Sequence, residues 1–167
     1  MRSRMLNYGE EKKELFREIE DLVSTLSLVP VEVGKTSGKE GVSMRVLLYR
    51  KDEEITIDDL EAAYNIIYPR YSVTEERDLT LEVSSPGLGR TFKDYYEFTV
   101  FQGKRVRLYS TAFSSYVSGV IDSADEKSVT LTDYLVEDRK EKGDRITVVY
   151  DTIAKAKLDY LWEDKND

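Results

Sequence analysis

The chain contains no cysteine and no histidine. The first absence excludes disulfides, thiolate nucleophiles and zinc–thiolate sites. The second removes the commonest general base near neutral pH. No apolar run reaches the length of a membrane span, and Met1 to Glu10 is polar, without the apolar core of a signal peptide. A cytoplasmic protein is therefore expected. Positive charge is in deficit as well: 25 Lys+Arg stand against 33 Asp+Glu, a net −8. Residues 1–91 carry 13 against 18 and residues 92–167 carry 12 against 15, so neither part is basic. Broad tracking of nucleic-acid phosphates needs clustered positive charge, which this balance disfavours. An acidic surface suits a basic protein partner and speeds that encounter.

What remains is ample for folding. The 167 residues are 40% hydrophobic and 35% charged, the composition of folded cores under a heavily charged surface. Glu10 to Ser27 predicts an amphipathic helix, with Leu15, Ile19, Leu22, Val23 and Leu26 on one face. Leu28 to Lys35 predicts a strand, Gly34 to Gly41 a polar hairpin loop, and Val42 to Arg50 a second strand. Gly34-Lys35-Thr36 is not a phosphate-binding loop, because no glycine stands five residues earlier and a strand follows where a helix is needed. Ile55 to Tyr68 predicts a second helix, with Thr56 and Asp59 at capping-box spacing, Leu60, Ala63, Tyr64 and Ile67 as its core stripe, and Pro69 at its end. Asp78 to Ser84 predicts a third strand. The order helix-strand-strand-helix-strand implies an α/β sandwich with both helices on one sheet face.

The stretch LEVSSPGLGR, Leu81 to Arg90, ends that pattern. Pro86-Gly87 suits the central positions of a type II turn, Gly89 follows, and Arg90 adds a charge. Ser84, Ser85, Pro86, Gly87, Gly89 and Arg90 are read as an interdomain hinge, since turn chemistry alone accounts for them. Domains are expected over residues 1–91 and 92–167, the second closing with a short acidic tail. From Phe92 onward the pattern is short strands and tight turns: Lys104–Ser110, Tyr116–Ser123, Ser128–Thr132, Arg145–Tyr150 and Ile153–Leu158. Gly119 inside the second of these marks a bend or bulge, and Glu137 to Asp144 reads as a charged loop. Five such strands suggest a small SH3-like barrel. Phe92, Tyr95, Tyr96, Phe98 and Phe101 read as core and barrel lid in preference to a base-stacking platform.

LEVSSPGLGR closely resembles the Leu-Glu-Val-Ser-Ser-Pro-Gly-Leu-Asp-Arg-Pro segment of the ribosome maturation factor RimP family. Phe98, Phe101, Gly103 and Val106 resemble the family's Phe-x-x-Phe-x-Gly-x-x-Val segment. Tyr116 to Thr132, Ile153 to Leu158 and Ile55 to Leu60 resemble its middle hairpin, closing strand and second helix start. Departures are Gly89 for Asp, Thr91 for Pro, Leu60 for Cys, and the segment Val46–Lys51, which lacks the family's usual Asp after its strand. The resemblance implies an α+β chain: an N-terminal KH-like domain and a C-terminal Sm-like or SH3-like barrel. It implies a non-enzymatic factor for small (30S) subunit maturation that binds the immature particle and a basic ribosomal protein near the decoding centre. The KH label is topological, since no GXXG loop lies between two helices.

Three functions are weighed. An assembly factor is favoured. An RNA-binding module contacting ribosomal RNA through Lys104, Arg105 and Arg107 is the alternative, with a solvated face as the simpler account of those charges. An enzyme is disfavoured, because no spaced carboxylate pair, nucleophile motif or cofactor loop occurs. Asp122 and Asp125 are candidates for a basic partner, on charge and hairpin position alone. No metal or other cofactor, no membrane contact and a monomeric state are expected.

Overall fold

The computed structural model describes residues 8–75 and 77–160. The first residues of the polar start and the acidic tail lie outside the described residues. The chain divides into two compact units, Tyr8–Pro86 and a second beginning at Gly87.

The first unit runs α1 (Glu10–Ser24), β1 (Val29–Gly38), β2 (Gly41–Tyr49), α2 (Ile57–Ser72) and β3 (Leu79–Ser84). β1 pairs antiparallel with β2, and β2 pairs parallel with β3, in the order β1-β2-β3. A parallel neighbour requires a crossover, which α2 supplies. Phe16, Ile19 and Val23 of α1 are buried with Ala63, Ile67 and Tyr71 of α2, above Val42, Met44, Val46 and Leu48. The Tyr71 hydroxyl donates to Glu18 at 2.9 Å, tying the two helices together.

Three expectations change here. Phe16 joins the core face of α1, whereas Leu15, Leu22 and Leu26 are only half-buried. Pro69 does not end α2, which continues to Ser72. Proline deprives the carbonyl four residues back of its donor, but Pro69 and Asn65 are both exposed, so water can take that place, and burial of Tyr71 rewards the extra turn. The Gly34–Gly41 loop is mostly ladder. β1 and β2 pair out to Gly38 and Gly41, leaving Lys39-Glu40 as a two-residue turn. Gly41 takes φ +134°, and the next residue, Val42, donates its amide to the Asp78 carbonyl at 2.8 Å. The Thr56–Asp59 capping box forms as expected, with both hydrogen bonds present.

The second unit carries the short helix α3 (Tyr96–Val100) and strands β4 (Arg105–Ser110), β5 (Ser115–Ala124), β6 (Ser128–Val136), β7 (Glu141–Val149) and β8 (Ile153–Leu158). They form one antiparallel sheet in the order β7-β6-β5-β4-β8, with a 3₁₀ turn at Tyr150–Thr152 before the last strand. This is the expected α+β chain, an α-β-β-α-β unit and then a five-stranded β unit. Val106, Leu108, Val117, Ile121, Val129, Leu131, Val148 and Ile153 fill the interior, with Phe92, Phe98 and Phe101. Gly119 lies at a register shift between β5 and β6 as its position predicted, and a Cβ there would stand 2.9 Å from the Thr132 carbonyl oxygen. The charged run Glu137–Asp144 is not a simple loop: a 3₁₀ turn covers Glu137–Arg139, and Glu141 already begins β7. β7 is the edge of the sheet, where alternate charged side chains reach water without cost to the ladder.

Candidate functional site

The diagnostic segment divides in its behaviour. Ser84 closes β3 opposite Leu47. The turn that follows is not centred on Pro86-Gly87. The Arg90 amide donates to the Gly87 carbonyl at 3.1 Å, so Leu88 and Gly89 occupy the centre. Gly87 does not adopt the positive φ that a type II turn would ask of it. Gly87, Leu88 and Gly89 are exposed.

Arg90, by contrast, is held firmly inside the second unit. Its carbonyl accepts from Leu158, the Phe92 amide donates to Ala156 at 2.8 Å, and Thr91 bridges Lys157. Residues 90–92 thus extend the sheet beyond β8. The Arg90 side chain is 8% exposed and its Nε donates to Glu97 Oε1 at 2.5 Å; the Glu97 side chain is 0% exposed. The second Glu97 oxygen accepts from the amides of Lys93 at 2.7 Å and Asp94 at 3.0 Å. A buried carboxylate needs its charge matched and its lone pairs filled, and three donors do both. The sequence reading missed Glu97. The available signal was an acid at the start of a short aromatic-rich segment, seven residues beyond Arg90.

The aromatic residues of this region are structural. Phe92, Phe98 and Phe101 are buried, with Phe92 edge-on to Phe98 and stacked on Phe101. Tyr95 stacks on Tyr150 at 4.3 Å.

The expected partner-binding residues are not gathered in one place. Lys104 precedes β4 and is exposed. Arg105 and Arg107 share one face of β4, and both meet acids. Arg105 reaches Asp133 at 3.4 Å, and Arg107 is clamped by both oxygens of Glu137 at 3.1 and 2.9 Å. That two-point contact holds the Arg107 guanidinium charged beyond its ordinary range. Its guanidinium carbon also lies 3.7 Å from the Tyr116 ring centroid. Asp122 stands at a second β5–β6 register shift and accepts from Arg145 at 2.9 Å. Asp125 is a turn residue: its Oδ1 accepts from the amides of Lys127 at 2.7 Å and Ser128 at 2.8 Å. Those amides, Lys127 foremost, hold its carboxyl below the usual range.

Fold and site together define a class: a two-unit α+β chain whose distinctive chemistry lies on sheet surfaces and in ion pairs. Among the described residues no group of His, Cys, Asp and Glu is arranged to hold a metal ion. No helix there is long and apolar enough to cross a membrane.

A family model described as the RimP N-terminal domain matches residues 18–89. Ribosome maturation factor RimP of Borreliella burgdorferi (strain ZS7) is 29% identical over 154 residues, covering 92% of this chain and 99% of that protein. RimP of Borrelia garinii subsp. bavariensis is 27% identical over the same coverage, and RimP of Borrelia recurrentis 23% identical over 148 residues. The chain is similar to RimP proteins along nearly its whole length, and to the RimP N-terminal domain model over residues 18–89.

Proposed function

We propose that this chain is a non-enzymatic factor for maturation of the small ribosomal subunit, acting in the cytoplasm. The observation that carries this reading is end-to-end similarity to proteins named ribosome maturation factor RimP, over 92% of this chain and 99% of theirs. The match spans both units, so it concerns the whole two-unit arrangement and not one shared module.

The finer reading is that the protein holds a basic ribosomal protein from near the decoding centre while docking on the immature 30S particle. The net charge of −8 supports it, since an acidic surface attracts such a partner and repels free RNA at long range. Two linked units that share one target also gain from effective concentration. In this reading Ser84 to Gly89 is the connecting hinge and Arg90 the anchor at its far end. Asp122 and Asp125 remain candidates for the basic partner, each with its second carboxylate oxygen still able to accept.

The test is a pull-down of small-subunit proteins with the tagged full-length chain at low and moderate salt. Retention of one basic protein, weakened by salt and by D122K/D125K, supports the reading. Retention of none, together with no association with immature 30S particles on gradients, contradicts it.

A further inference from the structure

Among the described residues, basic and aromatic side chains from three strands gather on one face of the second unit's sheet. β4 pairs with β8 so that Arg107 faces Lys157 and Tyr109 faces Lys155. On its other side Arg107 faces Ser118 and Tyr109 faces Tyr116 of β5. Alternate residues of a strand share a face, and the intervening Val106, Leu108 and Ala156 are buried, so Arg107, Tyr109, Lys155 and Lys157 all lie on the outer surface. The side chains meet around Tyr116. Arg107 sits over that ring at 3.7 Å, Lys155 at 5.4 Å, and Tyr109 packs against its edge at 5.2 Å.

The cations differ in what they are free to do. Arg107 is already neutralised by Glu137, which leaves it as a brace that fixes the Tyr116 ring. Lys155 and Lys157 are exposed, and among the described residues neither forms an ion pair. The two lie two residues apart on one strand, so their backbone positions are about 7 Å apart, comparable with successive phosphates of a stretched single strand. Beside them stands a fixed tyrosine pair with an apolar face. Cations that follow the backbone next to an aromatic surface that takes a base are the ingredients of single-stranded nucleic-acid binding.

We propose that the outer face of β8, β4 and β5 is a contact site for a short single-stranded RNA segment. Lys155 and Lys157 bind its phosphates, Tyr109 stacks one base, and Arg107 and Tyr116 hold Tyr109 in place. In the proposed function this face would touch ribosomal RNA while an acidic surface holds the protein partner. The inference rests on that reading for its biological target, but the RNA contact is measurable without it.

The experiment is fluorescence anisotropy of a labelled twelve-nucleotide oligouridine with the purified full-length protein, from low to moderate salt. The expected result is weak binding that declines with salt. K155E/K157E should reduce affinity about tenfold or more and lower the logarithmic salt slope by about 1.4, two phosphate contacts at roughly 0.7 each. Y109L should weaken binding about fivefold or more with the slope unchanged, which separates stacking from charge. K142E on β7 is the control and should change little. Circular dichroism melts check that the variants fold. No binding at low salt overturns the proposal, as does equal loss with K142E or full binding by K155E/K157E. If these variants lose RNA but keep small-subunit maturation in cells, the surface exists and the functional reading of it fails.

Discussion

Replacing Glu97 with alanine tests whether the diagnostic arginine of this chain is a structural anchor. The substitution removes the carboxylate facing a guanidinium that is 8% exposed. It also takes the acceptor from the Lys93 and Asp94 amides. Breaking a buried pair by deleting one partner costs about 3–5 kcal/mol. An amide left unmatched adds about 1–3 kcal/mol where it is buried, and Asp94 is only 2% exposed. Domains of this size have roughly 5–15 kcal/mol in total, so the loss is a large share of the second unit's stability. At about 4–8 °C per kcal/mol, even 3 kcal/mol lowers its melting temperature by about 12 °C or more. Urea unfolding followed by far-UV circular dichroism measures it. R90A should cost less than E97A, because it leaves Glu97 its two amide donors. A double-mutant cycle with R90L/E97L should show coupling of about 1–3 kcal/mol, since the two buried charges act directly on one another. A cost for E97A below about 1 kcal/mol, with additive single effects, would refute the anchor.

The remaining predictions concern the glycines, the proline of the family pattern and acid. Gly41→Ala should destabilise more than Gly119→Ala, and Gly119→Ala by about 1–3 kcal/mol, because the first combines φ +134° with the backbone of Asp78 and the second meets a backbone oxygen at 2.9 Å. Gly143→Ala should be milder in the same denaturant series, because its neighbour is the movable ring of Tyr134. Thr91→Pro should be neutral or stabilising by up to about 1 kcal/mol, whereas Phe92→Pro should destabilise, because it removes the amide that donates to Ala156 of β8. Asp59 and Asp125 are both held below the ordinary carboxylate range, Asp59 chiefly by the Thr56 amide and Asp125 chiefly by the Lys127 amide. A depressed folded-state pKa gives stability that is present above the unfolded value and is lost as pH falls through the folded one. Stability should therefore decline below about pH 4, and D59N or D125N should flatten that decline in melts from pH 6 to pH 2.

Features written in a few adjacent residues were legible before the structure. The Thr56–Asp59 capping box, the alternation of Val106, Leu108 and Ser110, and the bulge at Gly119 each follow from spacing alone. Features that depend on distant partners were not. Pro69 has the chemistry of a helix stop, yet Tyr71 beyond it is buried and bonded to Glu18, fifty-three residues away. The glycines and polar residues of 34–41 look like a loop, but an edge hairpin draws its order from backbone pairing that composition does not display. Glu141 and Asp144 have the same ambiguity on β7. At the candidate site, Arg105 and Arg107 were visible as a basic pair, while their neutralising acids Asp133 and Glu137 and the cross-strand lysines required the register. Asp125 was singled out for its charge, and the structure gives that charge a local use in closing a turn.

The most direct test of the account is a sucrose-gradient analysis of cells lacking this chain, with and without a plasmid copy. Loss of the chain should reduce 70S ribosomes and accumulate immature small subunits. The plasmid copy should restore the profile, and the purified protein should co-sediment with the immature particle in preference to mature 30S. A normal ribosome profile without the chain, together with no preference for immature particles, would contradict the assignment to small-subunit maturation.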